Sequence, residues 1–366
     1  MGWHNILGHD SVRDWFVKSH ENNRLANTYL FVGPDGIGKK QLAFTLAQSL
    51  LCETNTISLE PCETCSGCIQ VINQTHPDLI LVSKPADKNY IPVEMFLGDR
   101  EHRRREGLCH DINLTPFKGN RKIAVIDDAD FLNIESANSL LKTLEEPPPN
   151  SILILIGSSE HRQLPTILSR AQVVRFQPLQ PDQVLKILSE LELPGEVPVE
   201  KLAYACGGSV QRAVVLDNKE LFEFRINLFA QLATFDPSEG AFAKTLTDFV
   251  DQSSKEAAVK RKFQRMLADF AINLYSGVIK LIHSPHEAES FDPAISDFAC
   301  RMIGDQAKCK ISLELFAASC IDRTIVFQQH VDANMSMANT VPSWLNDLGR
   351  IARNEKTTAL DAIKYD

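Results

Sequence analysis

The amino-acid sequence contains no apolar run long enough to cross a membrane. Its longest aliphatic run, Ile152 to Ile156, is far shorter than the roughly 20 residues that a transmembrane helix needs. The first residues also lack the apolar core of a secretory signal peptide, because Asp10, Arg13 and Asp14 follow within a few positions. We therefore expect a cytoplasmic protein without a membrane partner.

An excess of basic residues is missing as well. The chain has 38 Lys and Arg residues against 47 Asp and Glu residues, which gives a net charge of −9. Free-standing nucleic-acid binders normally need a basic surface that neutralises phosphates, so any DNA contact is expected to be local or shared with partner proteins. Two short basic runs, at residues 103–105 and 260–262, are interpreted as solvated helix faces rather than as partner or DNA contacts.

The first half of the chain alternates short apolar runs with amphipathic stretches. Each run predicts a strand that is buried on both faces, as parallel sheets require. Helices are predicted between them, notably at residues 40–51 and 136–144. This order predicts an α/β domain, whose strands are Tyr29–Val32, Leu79–Val82, Lys122–Ile126, Ile152–Ile156 and Val173–Phe176.

The strand pattern ends after Phe176, and the remaining apolar residues follow helical spacing. At 366 residues the chain is too long for one compact core. We predict three domains: an α/β domain at 1–177, a small helical domain at 178–219 and an all-helical domain at 220–366. Residues 284–293 carry two prolines and are predicted to form a loop.

A glycine-rich segment directly follows the first predicted strand and precedes a predicted helix; it reads Gly33-Pro34-Asp35-Gly36-Ile37-Gly38-Lys39-Lys40. This context is typical of a phosphate-binding loop, in which backbone N–H groups and the helix N-terminus face phosphate oxygens and a lysine adds positive charge. We assign Gly33, Gly36, Gly38, Lys39 and Lys40 to nucleotide binding, with ATP as the expected ligand, bound weakly or not at all. A glycine-rich turn without a ligand is the alternative.

The residue after Lys39 departs from the usual phosphate loop. Ser or Thr normally stands there and holds Mg²⁺ through its hydroxyl, whereas the ammonium of Lys40 has no lone pair. Asp127 and Asp128 follow a predicted strand, where a metal-facing acid and a water-activating glutamate are expected. Lys40 therefore predicts weak ATP hydrolysis or none, and Asp128, which is one methylene shorter than glutamate, weakens the geometry for a general base as well. Asp130 is interpreted as a helix N-cap.

Four of the nine cysteines lie close together as Cys52, Cys62, Cys65 and Cys68, in a C-x9-C-x2-C-x2-C pattern. Four thiolates at short spacing in a reducing cytosol match a tetrahedral Zn²⁺ site, and the absence of a free ligand position predicts a structural metal. Redox cysteines and an iron–sulfur cluster are the alternatives. The five other cysteines are predicted to be small buried thiols.

Together these motifs resemble the AAA+ clamp-loader subunits of bacterial DNA polymerase III. The resemblance covers at least residues 6 to 216 and includes the phosphate loop, the four cysteines in that family's spacing, and the stretches 76–78, 137–148 and 164–170. It implies an AAA+ domain with a zinc module at about 52–68, a small helical lid, and a helical collar that oligomerises in a ring. The implied partners are other clamp-loader subunits and, through the complex, the sliding clamp and primed DNA.

The resemblance also implies roles for three further residues. Arg170 is similar to the arginine finger with which members of this family act on the ATP site of a neighbouring subunit. Ser158 or Ser159 falls where the family has its first sensor residue, and Arg212 lies in a segment, Gly208 to Ala213, that resembles the delta-prime pattern. With Lys40 and Asp128, these features favour a delta-prime-type subunit with weak or no ATPase activity that helps load the clamp during replication. An active gamma/tau-type ATPase is the alternative.

Overall fold

The computed structural model describes residues 2–55, 58–99, 101, 105–118, 120–237, 242–253, 256–285, 292–333 and 335–355. The chain divides into two compact units. The α/β unit contains Met1–Ile187 and Gly208–Arg212, and the helical unit contains Leu188–Gly207 and Ala213–Asp366. The three-domain division with ends at residues 177 and 219 stays a prediction.

A parallel sheet of five strands forms the centre of the α/β unit. Its order is β2-β3-β4-β1-β5, with β1 at Thr28–Val32, β2 at Leu79–Val82, β3 at Lys122–Ile126, β4 at Ser151–Gly157 and β5 at Gln172–Arg175. All five strands were predicted, and the α/β fold is confirmed. The expectation that every strand is buried on both faces agrees with the edge strand β2, whose Leu79 and Val82 lie in hydrophobic cores on opposite faces of the sheet. It is wrong for the other edge strand, β5, which buries only Val174.

Two hydrophobic cores cover the two faces of the sheet. Successive side chains of a strand point to opposite faces, so Phe31 lies in one core while Leu30 lies in the other. The first core is closed by the helix at Lys39–Leu50 and the second by the helix at Ile134–Glu145. All strands run in one direction, so the loops after β1, β3 and β4 emerge at the same edge.

The α/β unit contains seven helices that end before its last strand, among the residues described. The helices predicted at residues 40–51 and 136–144 are confirmed as α2 and α6. Of the basic run 103–105, only Arg105 lies within the described residues. The helices are α1 Asp10–Glu21, α2 Lys39–Leu50, α3 Ser66–Ile72, α4 Glu94–Leu97, α5 Leu108–Asp111, α6 Ile134–Glu145 and α7 Pro165–Leu168. Short 3-10 helices lie at Trp3–Asn5, Ala129–Phe131 and Glu160–Arg162.

Helices alone make up the rest of the described chain. They are α8 Pro181–Glu190, α9 Val199–Ala205, α10 Val210–Leu216, α11 Lys219–Leu232, α12 Phe242–Ser253, α13 Ala257–His283, α14 Pro293–Gly304, α15 Leu313–Asp332 and α16 Met337–Ala352, with a 3-10 helix at Gln306–Lys308. The helical prediction for this part of the chain is confirmed. No helix in the described ranges has both the length and the apolar composition of a membrane span.

The core of the helical unit is built around α13, which packs against α14 and α15. Arg225 of α11 is buried there, pairs with Asp292 and lies over the ring of Phe229. The predicted loop at 284–293 ends one residue early because Pro293 begins α14, while residues 286–291 lie outside the described part. Lys260, from the second basic run, lies in α13 and pairs with Asp251 at 2.6 Å.

Candidate nucleotide pocket and cysteine cluster

The predicted phosphate loop joins β1 to α2 and depends on glycine for its shape. Gly36 and Gly38 have φ angles of +74° and +102°, a region in which other residues are strained. Gly38 also forms the N-cap of α2, so the free N–H groups of the first helical turn open toward the loop. The structure thus has the strand–loop–helix arrangement that the sequence predicted.

Lys39 fastens the loop from inside. Only 5% of its side chain is exposed, and its ammonium donates to the carbonyl oxygens of Gly33 at 2.5 Å and Pro34 at 2.6 Å. The carboxylate of Asp35 lies 3.7 Å away. Burial lowers the pKa of Lys39, while the negative charges of Asp35, Asp130 and Asp127 oppose that shift. The loop therefore holds a positive charge that is surrounded by its own oxygens and by three carboxylates.

Lys40 pairs with the acid that would otherwise face the metal. Its Nζ lies 2.9 Å from Oδ2 of Asp127, directly beyond the end of β3. Mg²⁺ requires oxygen ligands in near-octahedral geometry, but Lys40 has none to offer and brings a positive charge into contact with the remaining carboxylate. The residues at this position therefore do not fit the magnesium ion that the fold family implies.

Asp128 has an unusual backbone and environment. Its φ is 59°, a left-handed conformation, and its N–H donates to Oδ1 of Asp127 at 3.0 Å. Burial raises the pKa of Asp128, and the negative charge of Asp127 raises it further, while Lys84 acts in the opposite direction. A raised pKa suits proton acceptance, but the short aspartate side chain reaches less far than a glutamate.

Asp130 does not cap a helix, and that interpretation was wrong. It lies inside the 3-10 helix Ala129–Phe131, where its carboxylate accepts the N–H of Ser158 at 2.8 Å and the side-chain amide of Gln163. The carbonyl oxygen of Ser158 in turn accepts the N–H of Gly33 at 3.2 Å. Asp130 therefore links the region after β3 to the end of β4. Ser158 is in turn hydrogen-bonded to the phosphate loop.

The segment before Arg212 lies directly on the phosphate loop. The carbonyl oxygen of Gly36 accepts the N–H of Val210 at 3.0 Å, and Oγ of Ser209 accepts the N–H of Arg212 at 3.2 Å. A Cβ at Gly36 would come within 2.5 Å of Ser209 and Gln211. The structure thus brings the backbones of Ser158 and Val210 to the same loop, although these residues are far apart in sequence, and Arg212 follows Val210 by two positions.

His9 also belongs to this site, although no sequence motif predicted a role for it. Its Nε2 lies 2.7 Å from the carbonyl oxygen of Ile37, and its ring meets Phe176 edge to face at 4.9 Å. Burial lowers the pKa of His9, so the ring is neutral at pH 7 and Nε2 carries the proton that it donates. His9 therefore supports the outer side of the phosphate loop from the residues before α1.

Arg170 lies at the surface, one residue beyond the C-cap position of α7. Its Nη2 donates to Oε1 of Glu145 at 2.6 Å, and its Nη1 donates to the carbonyl oxygen of Thr166 at 3.1 Å and to Oγ of Ser169 at 2.9 Å. The acidic partner comes from the end of α6 rather than from the phosphate loop. Exposed ion pairs of this kind contribute little stability, so the guanidinium is free to exchange its partner for another anion.

The four clustered cysteines converge on one point. Their sulfur atoms all lie within 4.8 Å of one another, and the two pairs Cys52–Cys65 and Cys62–Cys68 are each 3.9 Å apart. A zinc ion with Zn–S distances of about 2.3 Å in a tetrahedron requires sulfur atoms about 3.8 Å apart. Backbone N–H groups of Cys65 and Cys68 point at the sulfur atoms of Cys62 and Cys65. The cluster therefore has the donors and the spacing that a metal ion needs.

The cluster is tied to the rest of the α/β unit by Glu53 and Lys118. The Glu53 carboxylate lies 2.7 Å from Nζ of Lys118 and accepts the hydroxyl of Ser66 at 3.0 Å. The N–H of Lys118 donates to the fully buried carboxylate of Asp78 at 2.9 Å. The module thus rests on the same core as the sheet.

The five remaining cysteines are not all buried. Cys206 and Cys320 are buried and Cys109 and Cys309 are half-buried, but Cys300 is exposed. Cys300 lies on the outer face of α14, whose Phe298, Ala299 and Met302 are buried. The prediction of a buried thiol is therefore wrong at Cys300.

Comparisons with known proteins identify a matching family for most of the α/β unit and several relatives of the chain. A family described as DNA polymerase III, delta subunit, matches residues 8–180. DNA polymerase III subunit delta' of Bacillus subtilis is 30% identical over 272 residues, which is 74% of this chain and 77% of that protein. Subunit delta' of Pseudomonas aeruginosa is 34% identical over 145 residues, covering 40% of this chain and 41% of the relative.

Gamma and tau subunits match as well. Subunit tau of Escherichia coli is 29% identical over 269 residues, which is 72% of this chain but only 39% of that protein. A solved structure of a DNA polymerase III gamma subunit-related protein from Thermotoga maritima is 19% identical, with a TM-score of 0.35, over 94% of this chain and 99% of that one.

Proposed function

This chain belongs to the family of DNA polymerase III clamp-loader subunits, and we propose that it serves there as a delta-prime-type subunit. In this role it helps place the sliding clamp on primed DNA within a hetero-oligomeric ring of clamp-loader subunits. It hydrolyses little or no ATP of its own and offers Arg170 to the ATP site of a neighbouring subunit. The observation that carries the proposal is the ion pair between Lys40 and Asp127.

This ion pair argues against an independent ATPase. In phosphate-loop enzymes the magnesium ion neutralises the charge that develops on the phosphate oxygens. Here Lys40 and Asp127 neutralise each other, and no hydroxyl stands beside Lys39 to hold the metal. Asp128 is left near the phosphate loop without the reach of a glutamate. Such a pocket is better suited to a structural role or to binding a nucleotide than to hydrolysing ATP.

The position of Arg170 supports a role in trans. Its guanidinium lies at the surface and is held by an exposed partner, Glu145, which a stronger anion can replace. A guanidinium placed against a γ-phosphate stabilises the charge of the transition state, and its planar fork binds two oxygens at once. Supplying it from a neighbouring chain makes hydrolysis depend on assembly.

We also propose that the cysteine cluster holds zinc. The four sulfur atoms match the tetrahedral spacing of Zn²⁺, and all four positions are occupied by protein ligands, as in structural sites. The residues Cys52, Cys62, Cys65 and Cys68 would fasten the end of α2 to the start of α3. The metal would stabilise this module and take no part in phosphate chemistry.

An active gamma/tau-type ATPase remains the second candidate. It is favoured by the similarity of tau, at 29% identity over 72% of the chain, and by the intact glycines and Lys39 of the phosphate loop. ATP hydrolysis by the isolated chain distinguishes the two. Brisk Mg²⁺-dependent turnover would support the gamma/tau type and contradict the delta-prime type.

The role of Arg170 is tested by Arg170→Ala in a reconstituted clamp loader. We expect ATP turnover and clamp loading by the complex to fall by about tenfold or more, because the site that borrows the guanidinium loses its charge stabilisation. Arg170→Lys should restore little of this activity, since an ammonium cannot bind two oxygens in a plane.

The matched control is Arg162→Ala, which removes another exposed arginine of the same unit. It should leave turnover and loading unchanged. All variants should keep their metal content and melting temperature. Unchanged turnover in the Arg170→Ala complex would remove the proposed role of this arginine.

A further inference from the structure

We propose that the phosphate loop binds a nucleoside polyphosphate without a divalent cation, and that the ammonium of Lys40 takes the position that magnesium has in related pockets. This inference rests on the proposed function only in taking the loop as a nucleotide site. It follows because Lys40 does not fit the magnesium ion that the fold family implies at this position. Lys40 is part of the protein, so its charge is available without a metal.

The loop is already shaped for phosphate without a metal. Lys39 uses two of its three donors on the carbonyl oxygens of Gly33 and Pro34, and these bonds hold the loop in a closed ring. The N-terminus of α2 opens from Gly38 and adds its partial positive charge. None of these donors depends on a bound cation.

Lys40 can perform the electrostatic part of the metal's role. Its side chain is 54% exposed, so it can turn, and its ammonium carries three donors of which Asp127 accepts at least one. The ammonium can therefore stay on Asp127 and donate to a phosphate oxygen at the same time. In a related pocket with Ser or Thr in place of Lys40, that hydroxyl and the carboxylate would hold magnesium, which would supply the positive charge.

Added magnesium has no comparable place in this pocket. To reach Asp127, the ion would have to displace the Lys40 ammonium from a carboxylate 2.9 Å away, and a remaining ammonium nearby would repel it. It would also gain no oxygen ligand from residue 40. Complexation of the nucleotide by Mg²⁺ should therefore weaken binding or leave it unchanged, which is the reverse of an ordinary phosphate loop.

The inference is tested by titration calorimetry of the full chain with ATP and with ADP. One series uses buffer freed of divalent cations by a chelating resin, which spares bound zinc better than a soluble chelator, and the other contains millimolar MgCl₂. The unmodified chain should bind at least as tightly without Mg²⁺ as with it. Zinc content is measured after each series, so that loss of the cysteine module is not mistaken for loss of the site.

Variants at residue 40 distinguish the effect of a positive charge on nucleotide binding from the effect of a metal ligand. Lys40→Thr should reverse the preference, with affinity rising by about tenfold when Mg²⁺ is added, which corresponds to about 1.4 kcal/mol. Lys40→Met should weaken metal-free binding and gain no response to Mg²⁺. Lys18→Thr removes an exposed lysine of α1 and should behave as the unmodified chain.

Two results would overturn the inference: no binding of either nucleotide by the unmodified chain in either buffer, or binding that Mg²⁺ strengthens. Each is distinct from a failure of the proposed function. A chain that neither binds nor hydrolyses nucleotide contradicts only the inference drawn from Lys40. A chain that hydrolyses ATP briskly with Mg²⁺ contradicts the delta-prime role as well.

Discussion

The phosphate loop and the cysteine cluster lie at opposite ends of the same helix, α2, and their residues differ in how well they fit the metals that the two motifs imply. The loop leads into the helix at Lys39, and Cys52 follows its last residue, Leu50, by two positions. The four sulfur atoms offer the four ligands that a tetrahedral zinc ion would need. At the other end, Lys40 stands where an oxygen ligand belongs and occupies the acid that remains.

This difference predicts that the phosphate-loop motif can persist without its metal. The glycines, Lys39 and the start of α2 preserve the shape of a phosphate loop after the metal ligand is lost, because that shape depends on backbone conformation and on one buried ammonium. The segments that carry the four cysteines also pack on the hydrophobic core, to which they contribute Leu59 and Val71. The four sulfur atoms nevertheless converge on one point, so we expect the structure around them to depend on a bound metal.

The largest expected effect comes from removing one ligand of the cluster. Cys68→Ser should release the zinc and destabilise the α/β unit by several kcal/mol, because Cys68 is fully buried and its segment loses its main connection. Metal analysis and thermal unfolding measure both effects, and we expect the melting temperature to fall by roughly 10 °C.

Cys300→Ser is the matched control for this change. It removes an exposed thiol outside the cluster and should keep both the metal and the melting temperature. If Cys68→Ser lost its zinc yet melted like the unmodified chain, the proposed structural role of the metal would be wrong.

A smaller effect is expected from a methyl group in the phosphate loop. Gly36→Ala and Gly195→Ala start from nearly the same φ, +74° and +75°, so both should lose about 1 kcal/mol through backbone strain. Only Gly36→Ala also meets neighbours, at 2.5 Å, whereas the described residues leave open space around Gly195.

Gly36→Ala should therefore cost a further 1–3 kcal/mol, approximately, for displacing the segment at Ser209 and Gln211. Chemical denaturation of both variants measures the difference. Equal losses in the free energy of unfolding would show that the loop is not packed against this segment. The shape of the phosphate loop would then contribute less to the stability of the fold than we propose.

The smallest effect concerns the carboxylates beside Lys40. Because the pKa of Asp128 is raised in the folded state by burial and by Asp127, the folded protein holds this proton at pH values where the unfolded chain has lost it. Its ionisation therefore lowers stability as pH rises from the ordinary aspartate pKa of about 3.9 to the raised value.

Asp128→Asn removes this penalty. The variant should gain stability relative to the unmodified chain as pH rises through that window, and the gain should stay constant above it. Denaturation midpoints from mildly acidic to neutral pH test this, with the exposed Asp87→Asn as the control. A difference that shrinks as pH rises would contradict the raised pKa.

Much of the α/β unit was predictable because its signals are local. β2 and β3 begin and end at the residues predicted, since each is a continuous apolar run with polar residues or turns beside it. The phosphate loop and the cysteine cluster were recognisable for the same reason. The exposure of β5 was not predictable, because it depends on which strand lies at the edge of the sheet.

The amino-acid sequence alone was enough to predict the α/β class, the glycine turn before α2 and the set of four thiols, because the residues that produce each of them lie close together in the chain. The contacts that give the nucleotide pocket its character join distant stretches instead. Lys40 meets Asp127, Asp130 meets Ser158, and His9 meets Ile37. Parallel strands bring their carboxyl ends to one edge of the sheet. Which side chains pair there depends on the order of the strands, and no local sequence pattern shows that order.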